Sequence, residues 1–129
     1  MQAQAATWYV RPSTDEYGAE DGTSYAAAFD GVSDITWAAI DPGDTLYICG
    51  THSGALFQVR ASGSQAGGYF TIRGDYEGDP GVITSSPNSG LLVRDQDYVK
   101  VMNITSHSNT SNGIQIDTTN GDHNVSNFI

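Results

Sequence analysis

Asp95 and Asp117 follow two matching quartets, Gly90-Leu91-Leu92-Val93 and Gly113-Ile114-Gln115-Ile116, that stand 23 residues apart. The two acids follow their quartets at almost the same place, so stacked repeats would bring the two carboxylates near each other. Like charges held that close either raise a pKa or recruit a hard cation, and with Asp122 nearby the oxygen ligands suit Ca²⁺ better than zinc. Paired acids are also the general acid and base of glycoside hydrolysis, and such pairs are available from Asp95 and Asp97 beside Arg94 or from Asp117 with Asp122. The competing reading is structural: acids in Asp/Asn/Gly turns bond local backbone and face water. No cofactor is required by either reading, and no residue is assigned a catalytic role.

Tyrosines offer a different chemistry. Tyr69, Tyr76 and Tyr98, with Tyr17 and Tyr25, are candidates to stack on pyranose faces, or equally to fill the interior. Lys100 lies inside "YVKVMN", where alternation places it on the outer face of a strand as a solvated lysine. His52, His107 and His123 are too dispersed for a zinc spacing, and His123 begins a strand segment. Cys49 sits in "LYICG", a setting in which a lone cysteine acts as a small hydrophobe. Being single, it forms no intramolecular disulfide. Glycosylation sequons occur at Asn103, Asn109 and Asn124, a density expected by chance in a chain this rich in Asn, Ser and Thr.

The chain has 129 residues, which suits one domain. Fifteen acidic and five scattered basic residues give a net charge of −10, leaving no basic footprint for nucleic acid. No apolar run reaches the length of a membrane span. The opening "MQAQAATW" has the small-residue character of the end of a signal peptide, or of a plain disordered start, and the first reading implies a secreted, extracellular protein.

These side chains must be positioned by short strands. "WYV" (8–10) is followed by an acidic loop, and "YAAAFDGVSDITWAAI" (25–40) predicts a short helix with Ser33 as N-cap and Asp34 behind it. "DPGD" (41–44) is a turn. Apolar stretches then recur between Gly, Ser, Asn and Asp clusters: 45–50, 55–60, 69–74, 81–84, 90–93, 98–105, 113–116 and 123–129. Val101-Met102-Asn103-Ile104 and Val125-Ser126-Asn127-Phe128 repeat a second pattern at 24 residues, close to the period of the glycine quartets. Two strands recurring in one order predict an all-β fold, a parallel β-helix solenoid rather than a sandwich, in which Asn103 and Asn127 stack as a ladder. The organisation expected is a flexible 1–7, an N-terminal cap with a short helix over 8–44, and the first coils over 45–129.

"DGTSYAAAF", "PGDTLYICG", "YFTIRGDYEGDPGVIT" and "YVKVMNIT" together resemble the start of right-handed parallel β-helix proteins of the pectate-lyase-like superfamily, among them secreted polysaccharide lyases, glycoside hydrolases and phage tail depolymerases. The resemblance implies that 24–40 cap the solenoid, with Trp37 and Ile40 facing the first coil. It also implies a carbohydrate-directed protein with a polysaccharide partner, whose catalytic groups belong to later coils. Two alternatives remain. A structural subunit could stack into homo-oligomers or filaments through a C-terminal edge at Val125, Phe128 and Ile129, and a phage or surface adhesin segment could simply display binding loops.

Overall fold

In the computed structural model of the chain, residues 5–118 are described. Alternating apolar and polar residues in short runs produce strands that bury every second side chain. The first sheet joins β1 (Thr7–Arg11), β2 (Phe29–Asp30), β3 (Thr45–Ile48), β6 (Phe70–Arg73) and β9 (Val99–Met102) in the order β2-β1-β3-β6-β9. A second contains β4 (Thr51–Ser53), β7 (Val82–Thr84) and β10 (Thr105–His107). The third contains β5 (Phe57–Val59), β8 (Leu91–Arg94) and β11 (Ile114–Asp117). All named strand pairings are parallel. From β3 onward the chain visits the three sheets in one order three times, so the fold is all-β with parallel sheets.

Register carries the repeat seen in the sequence. Leu91 pairs with Ile114 and Val93 with Ile116, which places the two glycine quartets side by side. In the first sheet Leu46 pairs with Ile72 and Ile72 with Val101. These inward residues meet Phe57, Val59, Ile83, Leu91 and Val93 of the other sheets in one apolar cluster. A fully buried aliphatic or aromatic side chain contributes about 1.5–3 kcal/mol through removal from water.

The helix expected over 25–40 does not form. Phe29 and Asp30 are strand β2, paired with Val10 and Arg11, and only two 3-10 turns follow, Val32–Asp34 and Trp37–Ala39. The reason is tertiary. Phe29 is buried against the core as a strand residue, and Gly31, at φ 83°, turns the chain where a Cβ would meet that of Ser13 at 2.8 Å. What remains is too short to sustain a helix on its own. Ser33 is therefore no N-cap. Gly31 precedes the first turn without a side-chain cap, and the Asp34 carboxylate accepts the Asp30 N–H instead, at 3.0 Å. Packing against the core survives without the helix: Ile35 and Ile40 are buried, and Trp37 meets Phe57 and Phe70 edge-on, both at 6.4 Å.

Asp44, the last residue of the DPGD turn, ties the N-terminal strand to the rest. It is 3% exposed. Its Oδ1 accepts the Ala6 N–H at 2.8 Å, and its Oδ2 accepts the Trp8 indole N–H and the Asp41 N–H, both at 2.9 Å. Gly43, at φ 90°, is required beside it, because a Cβ there would lie 2.6 Å from the Gly67 carbonyl oxygen. Consequently β1 adds to the same sheet as β3.

Two further boundaries differ from expectation. The run 98–105 is two strands, broken at Asn103, whose φ of 54° swings the chain from the first sheet to the second. The polar segment Thr51–Ser53 is a strand that apolar patterning does not reveal. No helix among the described residues is long and apolar enough to cross a membrane.

Candidate functional site

The outward residues of the first sheet build an aromatic and charged surface. Register aligns Tyr9 with Tyr47, Tyr47 with Arg73, and Arg73 with Met102. The Tyr9 and Tyr47 rings lie 5.6 Å apart and nearly parallel, at 11°, and the Arg73 guanidinium sits 5.8 Å from the Tyr47 ring centre. Tyr76, just beyond β6, meets Tyr9 and Tyr47 edge-on, at 5.7 Å from each. Tyr25 then stacks on Tyr76 at 4.6 Å and 2°, its hydroxyl donating to Asp79 Oδ2 at 2.8 Å. Four tyrosines from four separate segments thus form one half-exposed surface.

Charge is distributed unevenly across this face. Arg73 is committed to Asp75 through two hydrogen bonds of 2.9 and 2.6 Å. That pairing, with a further bond from Asn103, lowers the Asp75 carboxyl to about 2. Arg11 differs. Its guanidinium lies 4.2 Å from the ring centres of both Tyr17 and Tyr25, yet its side chain has no acceptor among the described residues, and Nε is buried. Asp30, its register partner on β2, has a buried Oδ1 that is likewise unmatched. A donor and an acceptor on adjacent strands are both unsatisfied. Two of the phenols are shifted toward the neutral form: burial raises the Tyr9 pKa, with Tyr76 and Tyr47 adding to it, and the hydrogen bond to Asp79 raises that of Tyr25.

The sequence candidates separate into groups. Tyr76 belongs to this face. Tyr69 and Tyr98 pack on each other elsewhere, at 5.7 Å and 63°, with Lys100 Nζ 5.3 Å from the Tyr69 ring centre. Asp117 pairs with Arg94 through bonds of 2.6 and 2.7 Å, which lower its pKa, while Asp95 donates its backbone N–H to the Asp117 carbonyl at 3.2 Å. Register therefore sets Asp117 beside Arg94. Among the described residues, no group of three or more His, Cys, Asp or Glu side chains is placed to hold a metal. The Asn103 amide donates to Asp75 at 3.0 Å, across to the neighbouring strand's end. Asp122, His123, Asn124, Val125, Asn127, Phe128 and Ile129 lie outside the described residues. Cys49 is fully buried, and burial pushes its thiol up to about 12, in keeping with an inert hydrophobe.

Sequence reasoning missed Tyr9, Tyr47 and Arg11. The signal existed: with Val10, Leu46 and Ile48 inward, alternation turns Tyr9, Arg11 and Tyr47 outward on adjacent strands. Pairing β1 with β3 was the missing step. No family model matches the chain, and no curated protein or solved structure shows significant similarity to it.

Proposed function

We propose that the chain is a right-handed parallel β-helix of a secreted, carbohydrate-directed protein and that the tyrosine face binds a polysaccharide. The threefold return of the chain through three parallel sheets in one order supports the β-helix reading, each circuit being one coil. The handedness follows the strong general preference of parallel crossovers.

One observation carries the binding reading, the convergence of Tyr9, Tyr25, Tyr47 and Tyr76 on an outward face next to Arg11 and Asp30. Half-exposed aromatic bodies favour the C–H faces of sugar rings, while phenol hydroxyls, a guanidinium without an acceptor and a carboxylate supply donors and acceptors for hydroxyls. No residue is assigned a catalytic role, and recognition is the function proposed. Affinity electrophoresis through gels containing neutral and acidic polysaccharides tests it. Retardation by at least one polymer, weakened in Tyr47→Ala and Tyr76→Ala, is the expected result; migration unaffected by the whole panel rejects it.

Self-association is a second reading, favoured by Ile114 and Ile116. They are 41% and 38% exposed on β11, the outer strand of its sheet among the described residues. Sedimentation across the accessible concentration range decides it, since a constant monomer removes this alternative.

A further inference from the structure

A concave site lined by other residues than the tyrosine face lies along the open edge of β4, bordered by the loops that continue from Arg11 and Asp30. It is a cleft of about 230 Å³ between β4 and the loops 12–14 and 31–33. Because β4 is the outer strand of its sheet among the described residues, only one of its edges pairs with β7. Gly50 and Gly54 point their backbone groups toward the β7 side, as their bonds with Asp79, Val82 and Thr84 establish. In a parallel ladder the intervening residues alternate. The N–H and C=O groups of Thr51 and Ser53 therefore face the opposite edge, without partners among the described residues.

The cleft surrounds that edge with hydroxyls. Ser13, Thr14, Ser33, Thr51 and Ser53 line it, with Val32, Ala55 and Phe57 supplying apolar surface. His52 also lines it and is 6% exposed. Its Nε2 lies 3.1 Å from the Cys49 carbonyl oxygen, which makes Nε2–H the donor and leaves Nδ1 an acceptor without a partner among the described residues. Apart from His52, which burial biases toward its neutral form, no lining side chain is ionisable.

We propose that this cleft binds one neutral, hydroxyl-rich ring of monosaccharide size. Donors and acceptors in mixed array match hydroxyls, which do both. An ionic ligand would find no opposite charge. Drug-sized ligands fill pockets of about 300–1,000 Å³, so a space this small fits a single ring and not an oligomer. The site shares no residue with the tyrosine face, so it stands or falls separately from the polysaccharide reading.

Amide NMR on the ¹⁵N-labelled full chain tests the proposal, with D-glucose, D-galactose, D-mannose, D-xylose and myo-inositol as individual probes. At least one should shift the Thr51 and Ser53 amides saturably, with Kd on the order of 1 mM. Ala55→Trp, which fills the cleft, and Thr51→Val, which removes a hydroxyl at nearly constant shape, should each weaken that response about tenfold or more. Tyr47→Ala should leave it unchanged. Three results would overturn the proposal: no saturable shift with any probe, an undiminished response in a folded Ala55→Trp variant, or a response at these amides only to an extended Thr-Val peptide. The last would make the cleft an edge for strand addition.

Discussion

The inner and outer rows of the first sheet are built on the same strands and do different work. Inward, Val10, Leu46, Ile48 and Ile72 are fully buried and shared with the cores of both other sheets. Outward, Tyr9, Tyr47 and Arg73 are half-exposed and touch mainly one another and Tyr76. Fold is decided by the inner row, since a pleated strand needs only one apolar face to seat it. Threonine or lysine would satisfy the outer row. A tyrosine ladder with flanking arginines therefore calls for an explanation outside folding, and the polysaccharide recognition we propose would provide one.

Substitutions can break that division of labour. Ile72→Ala should destabilise the protein by about 2–5 kcal/mol in denaturant unfolding, the range for a cavity opened in a core. Tyr47→Ala, one strand away on the outer row, should lose only about 0.5–1.5 kcal/mol, the worth of an aromatic pair. Equal losses would mean the outer row is structural. Asp44→Ala falls between these two, at about 1–3 kcal/mol, because it strands a partly buried indole N–H and two backbone donors. Hydrogen exchange should then show β1 amides losing protection before those of β6, and uniform loss across the sheet would count against a local tie.

Two pH effects are smaller. Burial lowers the His52 pKa below its ordinary 6.5, so the unfolded chain takes up a proton more readily than the folded one. The stability this difference supplies is present above about 6.5 and falls as pH drops through the folded value. His52→Gln should flatten that part of the melting-temperature profile. Asp75 is also depressed, from 3.8 to about 2, by Arg73. Its contribution is present above 3.8 and disappears toward 2, and for so exposed a pair it stays below about 1 kcal/mol. Asp75→Asn should remove only that acid-limb slope.

Inner-row features were the more legible in sequence. Alternation in 45–50, 69–74 and 98–105 located buried strands, and the spacing of Gly90 from Gly113 foretold the register of β8 with β11. Residues 25–40 were misread because alanine content suggests a helix, whereas Phe29 is held as a strand by Val10, a contact between distant positions. Thr51–Ser53 escaped because its only buried side chain is a histidine. The candidate site was visible one residue at a time. Tyr76 and Tyr25 were singled out, but Tyr9 and Arg11 join them only when β1 lies beside β3, an arrangement fixed by Asp44 bonding Ala6 and Trp8 across the sequence.

The most direct test of the central claim is a paired measurement on Tyr47→Ala and Tyr76→Ala: retardation by whichever polysaccharide slows the wild-type chain, and thermal unfolding of the same samples. Loss of retardation by about tenfold in affinity, with melting temperatures within a few degrees of wild type, is the predicted result. Undiminished retardation in both variants would contradict the account.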